Sequence, residues 1–286
     1  MFLKNDFQKP PKWWQRLTFG LLCFWAFACL FPIYWVAITS IKDVPTIDGS
    51  PRYIPYVDFM PTLDAWRFIF FEHNENLVSR FFNSMIIGLS ATTLTMFTSC
   101  MLIYGLTRFI QKRNFNLLSW LLATRIFPPA VLVIPLYIMA SQLNVLDNKA
   151  ALMLVYVALN LPVAIWLIQP IMGTKATEQE EAAQLDGASH IHILTGILMP
   201  MLKSRLLAVS FVIFLLCWNE YLIATYLTSD QALTLPPWMV GQLSLKEAQV
   251  GGGAEEVAHL SAATIVMILP ALALVTFIQN IQRKLN

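Results

Sequence analysis

Six apolar runs decide what this chain can fold into. They cover roughly residues 17–40, 81–104, 117–142, 150–172, 204–227 and 261–281, and each holds at least 21 residues. A helix crosses the hydrocarbon in about 20 mostly apolar residues, and lipid offers no partner to a free backbone N–H or C=O. Of the 286 residues 57% are hydrophobic and 13% charged, against about 45–50% apolar and about 25% charged in soluble domains. The excess is too large for one core and faces lipid, as a mean hydropathy of +0.60 also says. The expected fold is all-α and integral to a membrane: six transmembrane helices in a single domain over 17–286, after a tail at 1–16. Lys4, Lys9, Lys12 and Arg16 before the first run resemble a signal-peptide start, and Ala26-Phe27-Ala28 offers small residues for cleavage. The apolar run continues to Val36, however, so it reads as an uncleaved span.

Loop charges give the orientation. Lys4, Lys9, Lys12, Arg16, Arg108, Lys112, Arg113, Lys175, Lys203, Arg205, Arg283 and Lys284 fall on one side of the six spans. The opposite side holds Lys42, Arg52, Arg67, Arg80, Lys149 and Lys246. The positive-inside rule then puts both termini in the cytoplasm. The segments left outside are 41–80, which is rich in Pro and aromatics, 143–149, and 228–260. A net charge of +2 is too balanced for a nucleic-acid partner. Cys23, Cys29, Cys100 and Cys217 all lie in apolar runs and read as small hydrophobes, not as a disulfide or metal framework.

The chain shows no chemistry of its own. No Gly is followed by Lys, so a phosphate-cradling Gly-x-x-x-x-Gly-Lys loop is absent, and no His-Glu-x-x-His pairing occurs. No catalytic, cofactor or metal-ligating residue is expected. Glu220 is the one carboxylate inside a span and Arg125 the one base away from a span's edge, Arg205 standing at the start of the fifth, too few for an intramembrane enzyme. A gradient-driven secondary transporter is the alternative, but it predicts inverted repeats and several charges near the midplane, and neither is seen.

The loop 173–203 is the most informative segment. Thr177-Glu178-Gln179-Glu180 has the form of a capping box, with Glu180 reaching back toward the first free N–H. A helix should start near Glu178, its acidic first turn at the positive end of the dipole, and Gly187 suits its end. Ala183 and Gly187 are four apart and share a face, with Ala182 beside them. That surface fits a docking element and a solvated connector equally well.

The same residues carry a resemblance. Glu181-Ala182-Ala183, Gly187, Ile197 and Pro200 reproduce Glu-Ala-Ala-x3-Gly-x9-Ile-x-Leu-Pro, with Met199 in place of Leu and Asp186 completing an Asp-Gly-Ala form. This resembles the signature loop (the EAA motif) of the membrane subunits of binding-protein-dependent ABC importers. Phe82-Asn83-Ser84, Pro128-Pro129, Ile134-Pro135-Leu136-Tyr137, Leu161-Pro162 and Trp218-Asn219-Glu220-Tyr221 look like the maltose-type six-span sugar permease. The likeness runs from about residue 17 to 281, and the Gly that often follows the last span is absent.

The resemblance implies a bacterial inner-membrane permease without enzymatic activity that imports a carbohydrate-type solute: an oligosaccharide, sugar derivative, polyol or glycoside. It implies a heterodimer with a second permease subunit, two ATP-binding subunits that hold the ATP and Mg, and an extracytoplasmic solute-binding protein. Glu181, Ala182, Ala183, Asp186 and Gly187 would form the coupling helix that docks on the ATPase. Trp218, Asn219, Glu220 and Tyr221 would line the translocation path or, by the reading favoured here, brace a subunit interface. Gly251-Gly252-Gly253 would give a flexible outer loop that reaches the binding protein or simply tethers the last span.

Overall fold

The computed structural model describes residues 11–72, 77–109, 122–124, 128–172, 177–243 and 253–285, and these form a helical bundle. The first helix, α1 (Lys12–Thr39), starts right after Pro11 and carries Pro32. It begins five residues before the expected span, because Trp13, Trp14 and Gln15 continue its pattern without a breaker. Among the described residues its main helix neighbour is the last helix, its end also meets Tyr53 through Tyr34 and Trp35, and Phe19, Leu22, Phe24, Trp25, Phe27 and Leu30 are uncovered by the rest of the chain. Such a surface suits acyl chains, and Trp13 and Trp14, edge to face at 5.5 Å, suit a membrane boundary. Cys23 and Cys29 lie exposed on this helix, whereas Cys100 and Cys217 are buried in the bundle.

The stretch after α1 is ordered by local devices. Helix α2 (Val44–Asp48) and helix α3 (Asp64–Arg67), which continues as a wide turn Phe68–Glu72, flank an irregular segment. Lys42 is buried with its ammonium 4.3 Å from the Trp35 ring centre and 5.4 Å from that of Phe59. Asp58 accepts the N–H groups of Tyr53 and Ile54, both at 2.9 Å.

Helix α4 (Leu77–Phe109) is the centre of the bundle. It is followed by α5 (Pro129–Gln142) and α6 (Lys149–Met172). The expected start of the third span and Arg125 lie outside the described residues. Next come α7 (Thr177–Leu185) and α8 (His190–Met201), then α9 (Lys203–Trp218), bent by 86° from α8. The expected fifth span breaks at residues 219–221 and resumes as α10 (Leu222–Leu227). Helix α11 (Leu235–Pro237, with a wide turn Trp238–Leu243) and α12 (Gly253–Leu285) complete the chain. Helices α1, α4, α6 and α12 are each long and apolar enough to cross a membrane, and the bent pair α8–α9 adds up to one more.

Small side chains let the central helices meet. Ser84, Gly88, Ala91, Thr95 and Ser99 recur every three or four residues on the buried face of α4, which packs on α6 and α9. One core unites α4, α6, α8 and α9 around Ile87, Ile103, Tyr156, Ile165, Ile168 and Ile213. A second unites α3, α11 and α12 around Trp218 and Trp238. Within segment 228–260, expected on the outside, residues 232–239 are therefore buried: Leu233, Leu235 and Trp238 belong to that second core.

A Cβ added at Gly88 would lie 3.3 Å from Phe214 Cε2, whereas one at Gly105 meets nothing within 4 Å. Gly88→Leu should force α4 from α9 and lower thermal stability in detergent, an overpacking cost of about 1–3 kcal/mol. Gly105→Ala should hold or raise it. Melting curves of the two purified variants against the parent check both.

Candidate functional site

The loop helix is fixed in place by both its end and its inner face. Gly187 sits at φ +82°, the left-handed conformation that terminates a helix. Ala188 N–H reaches Ala183 C=O at 3.0 Å and Gly187 N–H reaches Gln184 C=O at 3.0 Å, closing the last turn of α7. The predicted stop at Gly187 is found, and the described part of the helix runs from Thr177 to Leu185; the residues before Thr177 lie outside the described residues. The carboxylate expected to complete the capping box is engaged elsewhere: Glu180 is buried and meets Arg108 at the end of α4. Its Oε1 accepts from Nη2 at 2.7 Å and its Oε2 from Nε. A bidentate, planar pair of this kind fixes orientation as well as distance. The start of α8 is held by the same turns of α4. His190 Nδ1 lies 3.1 Å from the Tyr104 hydroxyl, and its ring stands edge-on to Phe109 at 5.0 Å.

Ala183 is a correction to the expected docking face. It is buried against the chain's own core, so it is the small residue that lets α7 lie close to α8. The outward surface is instead Glu181, Ala182, Leu185, Asp186 and Gly187, all exposed. Leu185 is 90% exposed, which is unusual for an apolar residue next to such a core, and sequence reasoning missed it. A Leu three residues after Ala182 on an amphipathic helix was the available signal.

The quartet at the break in the fifth span divides. Trp218 leaves the set: it is buried between Phe81 and Phe214, and its indole N–H donates to Met267 C=O at 3.1 Å. Stacking on a solute or contact with another subunit is closed to it. Glu220 caps α10, accepting the N–H of Ile223 at 2.8 Å and of Ala224 at 3.0 Å, and Tyr156 donates its hydroxyl to Oε2 at 3.0 Å. Asn219 donates to Leu215 C=O at 2.9 Å, and Asn219 and Tyr221 remain exposed. Gly253 is the first residue of α12, not part of a loop, and Gly251 and Gly252 lie outside the described residues.

At the opposite end of α4 a second joint went unread in the sequence. Asp147, at φ +55°, accepts the backbone N–H groups of Ser229, Asp230, Gln231 and Ala232 at 2.8–3.1 Å. The carbonyls of the same segment turn to α4. Arg80 pairs with the Asp230 carboxylate at 2.7 Å and binds its carbonyl. Asn83 donates to Gln231 and Leu233, each at 3.0 Å, and Ser84 accepts from Leu235 N–H at 2.7 Å. Segment 229–235 thus has its amides at 229–232 held by one loop, and carbonyls at 230, 231 and 233 with the Leu235 amide held by one helix.

Burial pushes the Asp147 carboxyl up, but the four backbone donors outweigh it and hold it below the usual carboxylate range. With the folded value depressed, its stabilising contribution is complete above the unfolded value of about 3.9 and is lost as pH falls through the folded value. Asp147→Asn keeps one acceptor oxygen and no charge. Hydrogen bonds to a charge contribute about 1.5–3 kcal/mol, so amide exchange at 229–232 should rise by about tenfold to a hundredfold. In the parent those amides should keep their protection factors between pH 5 and 8. Hydrogen-exchange mass spectrometry of the two proteins checks both statements.

Comparisons with known proteins agree with this geometry. Residues 115–286 match the family described as "Binding-protein-dependent transport system inner membrane component". The chain is 33% identical over 220 residues to a probable ABC transporter permease protein of Sinorhizobium fredii, covering 77% of each. It is 30% identical over 252 residues to the sulfoquinovosyl glycerol transport system permease protein SmoH of Agrobacterium fabrum, covering 88% of this chain and 85% of that one. Its fold matches a chain in the crystal structure of a bacterial ABC transporter involved in the import of the acidic polysaccharide alginate. The TM-score is 0.73 at 17% identity, over 98% of both chains. A multi-pass helical bundle, a capped loop helix bearing Glu181-Ala182-Ala183 and Gly187, and a family match over most of that bundle converge: the chain belongs to the binding-protein-dependent transport system inner membrane components, the permease subunits of ABC importers.

Proposed function

We propose that this chain couples ATP hydrolysis by a partner ATPase to inward passage of a carbohydrate-type solute, with α7 as the coupling helix. The observation that carries this is the two-sidedness of α7. Its inner side is fixed to α4 through Glu180 and Arg108, while its outer side presents Ala182 and Leu185 uncovered. Small and apolar residues beside Glu181 and Asp186 suit a cleft with an apolar floor and a basic rim. A rigid helix in such a cleft moves with it, and a difference in contact between two nucleotide states is what a transmitted motion requires.

On this reading the loop bearing α7 and both termini are cytoplasmic, in line with the charge asymmetry, and Arg80, Asp147 and segment 229–235 face outside. The chain is a single six-span domain over about 17–286 in a bacterial inner membrane. It pairs with a second permease subunit and two ATP-binding subunits, which hold the ATP and Mg, and it hydrolyses nothing itself. An extracytoplasmic binding protein delivers solute to the outer segment that includes Gly251, Gly252 and Gly253. The solute class is supported by the sulfoquinovosyl glycerol named for one relative. Asn219 and Tyr221 are the residues of the span-five break that remain available to a solute or a neighbouring subunit.

Ala182→Arg and Leu185→Glu test the joint without disturbing the fold, since neither side chain is covered by the chain. Co-expressed with its genomic neighbours and reconstituted in nanodiscs, each variant should lose the ATPase subunit on co-purification. A complex that survives purification should lose binding-protein-stimulated ATP hydrolysis. Full stimulated activity in both would sink α7 as the joint.

A further inference from the structure

One helix holds both joints. Helix α4 grips the coupling helix through Arg108 at one end and segment 229–235 through Arg80, Asn83 and Ser84 at the other. Between Arg80 and Arg108 run 28 residues, about 42 Å at 1.5 Å per residue, so the grips stand a full bilayer core apart.

Among the described residues α4 is also the one long apolar helix without a proline. Proline removes a backbone hydrogen bond and pries open the turn before it, so a span that contains one bends there. Pro32 lies inside α1, Pro135 inside α5, Pro162 and Pro170 inside α6, and Pro270 inside α12. The α8–α9 pair is bent by 86°, and the fifth span is broken at 219–221. Helix α4 has neither proline nor break over its 33 residues.

We propose that α4 is a rigid rod that carries motion of the coupling helix to the outer segment 229–235, with Arg108 and Arg80 as the positioning residues at its two ends. This rests on the reading of α7 as the ATPase joint. A push on α7 acts on Glu180 and hence on Arg108. The rod passes it on without bending, and Arg80 and Asn83 displace the backbone of 230–233. Asp147 moves with them, because its carboxylate holds the amides of that same backbone.

The assembled complex in nanodiscs tests this, with Cys23 and Cys29 replaced by alanine and a nitroxide label on either Gln184→Cys in α7 or Ser229→Cys in the outer segment. Spectra are compared with and without a non-hydrolysable ATP analogue and magnesium. In the parent both labels should shift. In Arg108→Gln and in Arg80→Gln the Gln184 label should still shift, while the Ser229 label should lose its response. Arg108→Lys, which keeps the charge but not the fork, should recover part of it. Should an arginine variant fail to assemble, Asp230→Asn decides instead: its carboxylate is 75% exposed, so folding is not at stake, and the Ser229 shift should shrink. An undiminished Ser229 shift in the assembled variants overturns the rod. A silent Gln184 label in the parent overturns the coupling reading itself, a failure distinct from that of the rod.

Discussion

Hydrocarbon gives nothing to an unpaired N–H or C=O, so each place where this chain leaves the helix must be repaired from within. The break at 219–221 is repaired by Glu220, whose two oxygens take the first free amides of α10. The turn into α6 is repaired by Asn148, whose Oδ1 accepts from Ala150 at 2.8 Å and Ala151 at 3.2 Å. The loop helix is closed by the left-handed turn at Gly187. Segment 229–235 needs the most, and Asp147 supplies acceptors on one side while Arg80 and Asn83 supply donors on the other. The polar residues of this bundle are thus mostly backbone surrogates. That accounts for Glu220, which as a lone carboxylate within an apolar run invites a catalytic or solute-binding role.

The same demand explains what could and could not be read from the residues in order. The helical spans were legible because crossing lipid leaves one solution for a long apolar run. The end of α7 was legible because a terminal glycine acts within a few positions of the turn that it closes. The extension of α4 to Arg108 and Phe109 was not, since its last turns are polar on paper and are ordered by α7 and α8. Glu180 satisfied a local capping rule and was drawn to Arg108, 72 positions away in sequence, which a neighbour-based rule cannot see. Residues 232–239, within the outer segment 228–260, gave no helix signal because Leu235-Pro236-Pro237-Trp238 is too short and proline-rich for one. Their burial depends on a pocket built jointly by α3, α9 and α12. Trp218 is the same lesson in reverse, an aromatic read as lining a path or bracing a subunit interface that instead fills the core of its own chain.

The two faces of α7 are held by different kinds of interaction, and the difference has a physical logic. A helix of nine residues is marginal on its own in water, where about 12–15 residues are needed even for favourable sequences. It therefore depends on its end turn and on the Arg108–Glu180 pair. Removing one partner of a buried pair leaves a stranded charge, at a cost of about 3–5 kcal/mol, although the intact pair adds little net stability over an apolar substitute. Such a pair specifies orientation more than it stabilises. The outer face has no comparable anchor, only Ala182, Leu185 and exposed carboxylates, whose contacts form and break at modest cost. An element that must stay fixed to its own chain while its partner moves through a cycle of nucleotide states needs that asymmetry: directional and charged where the attachment is permanent, small and apolar where it is renewed.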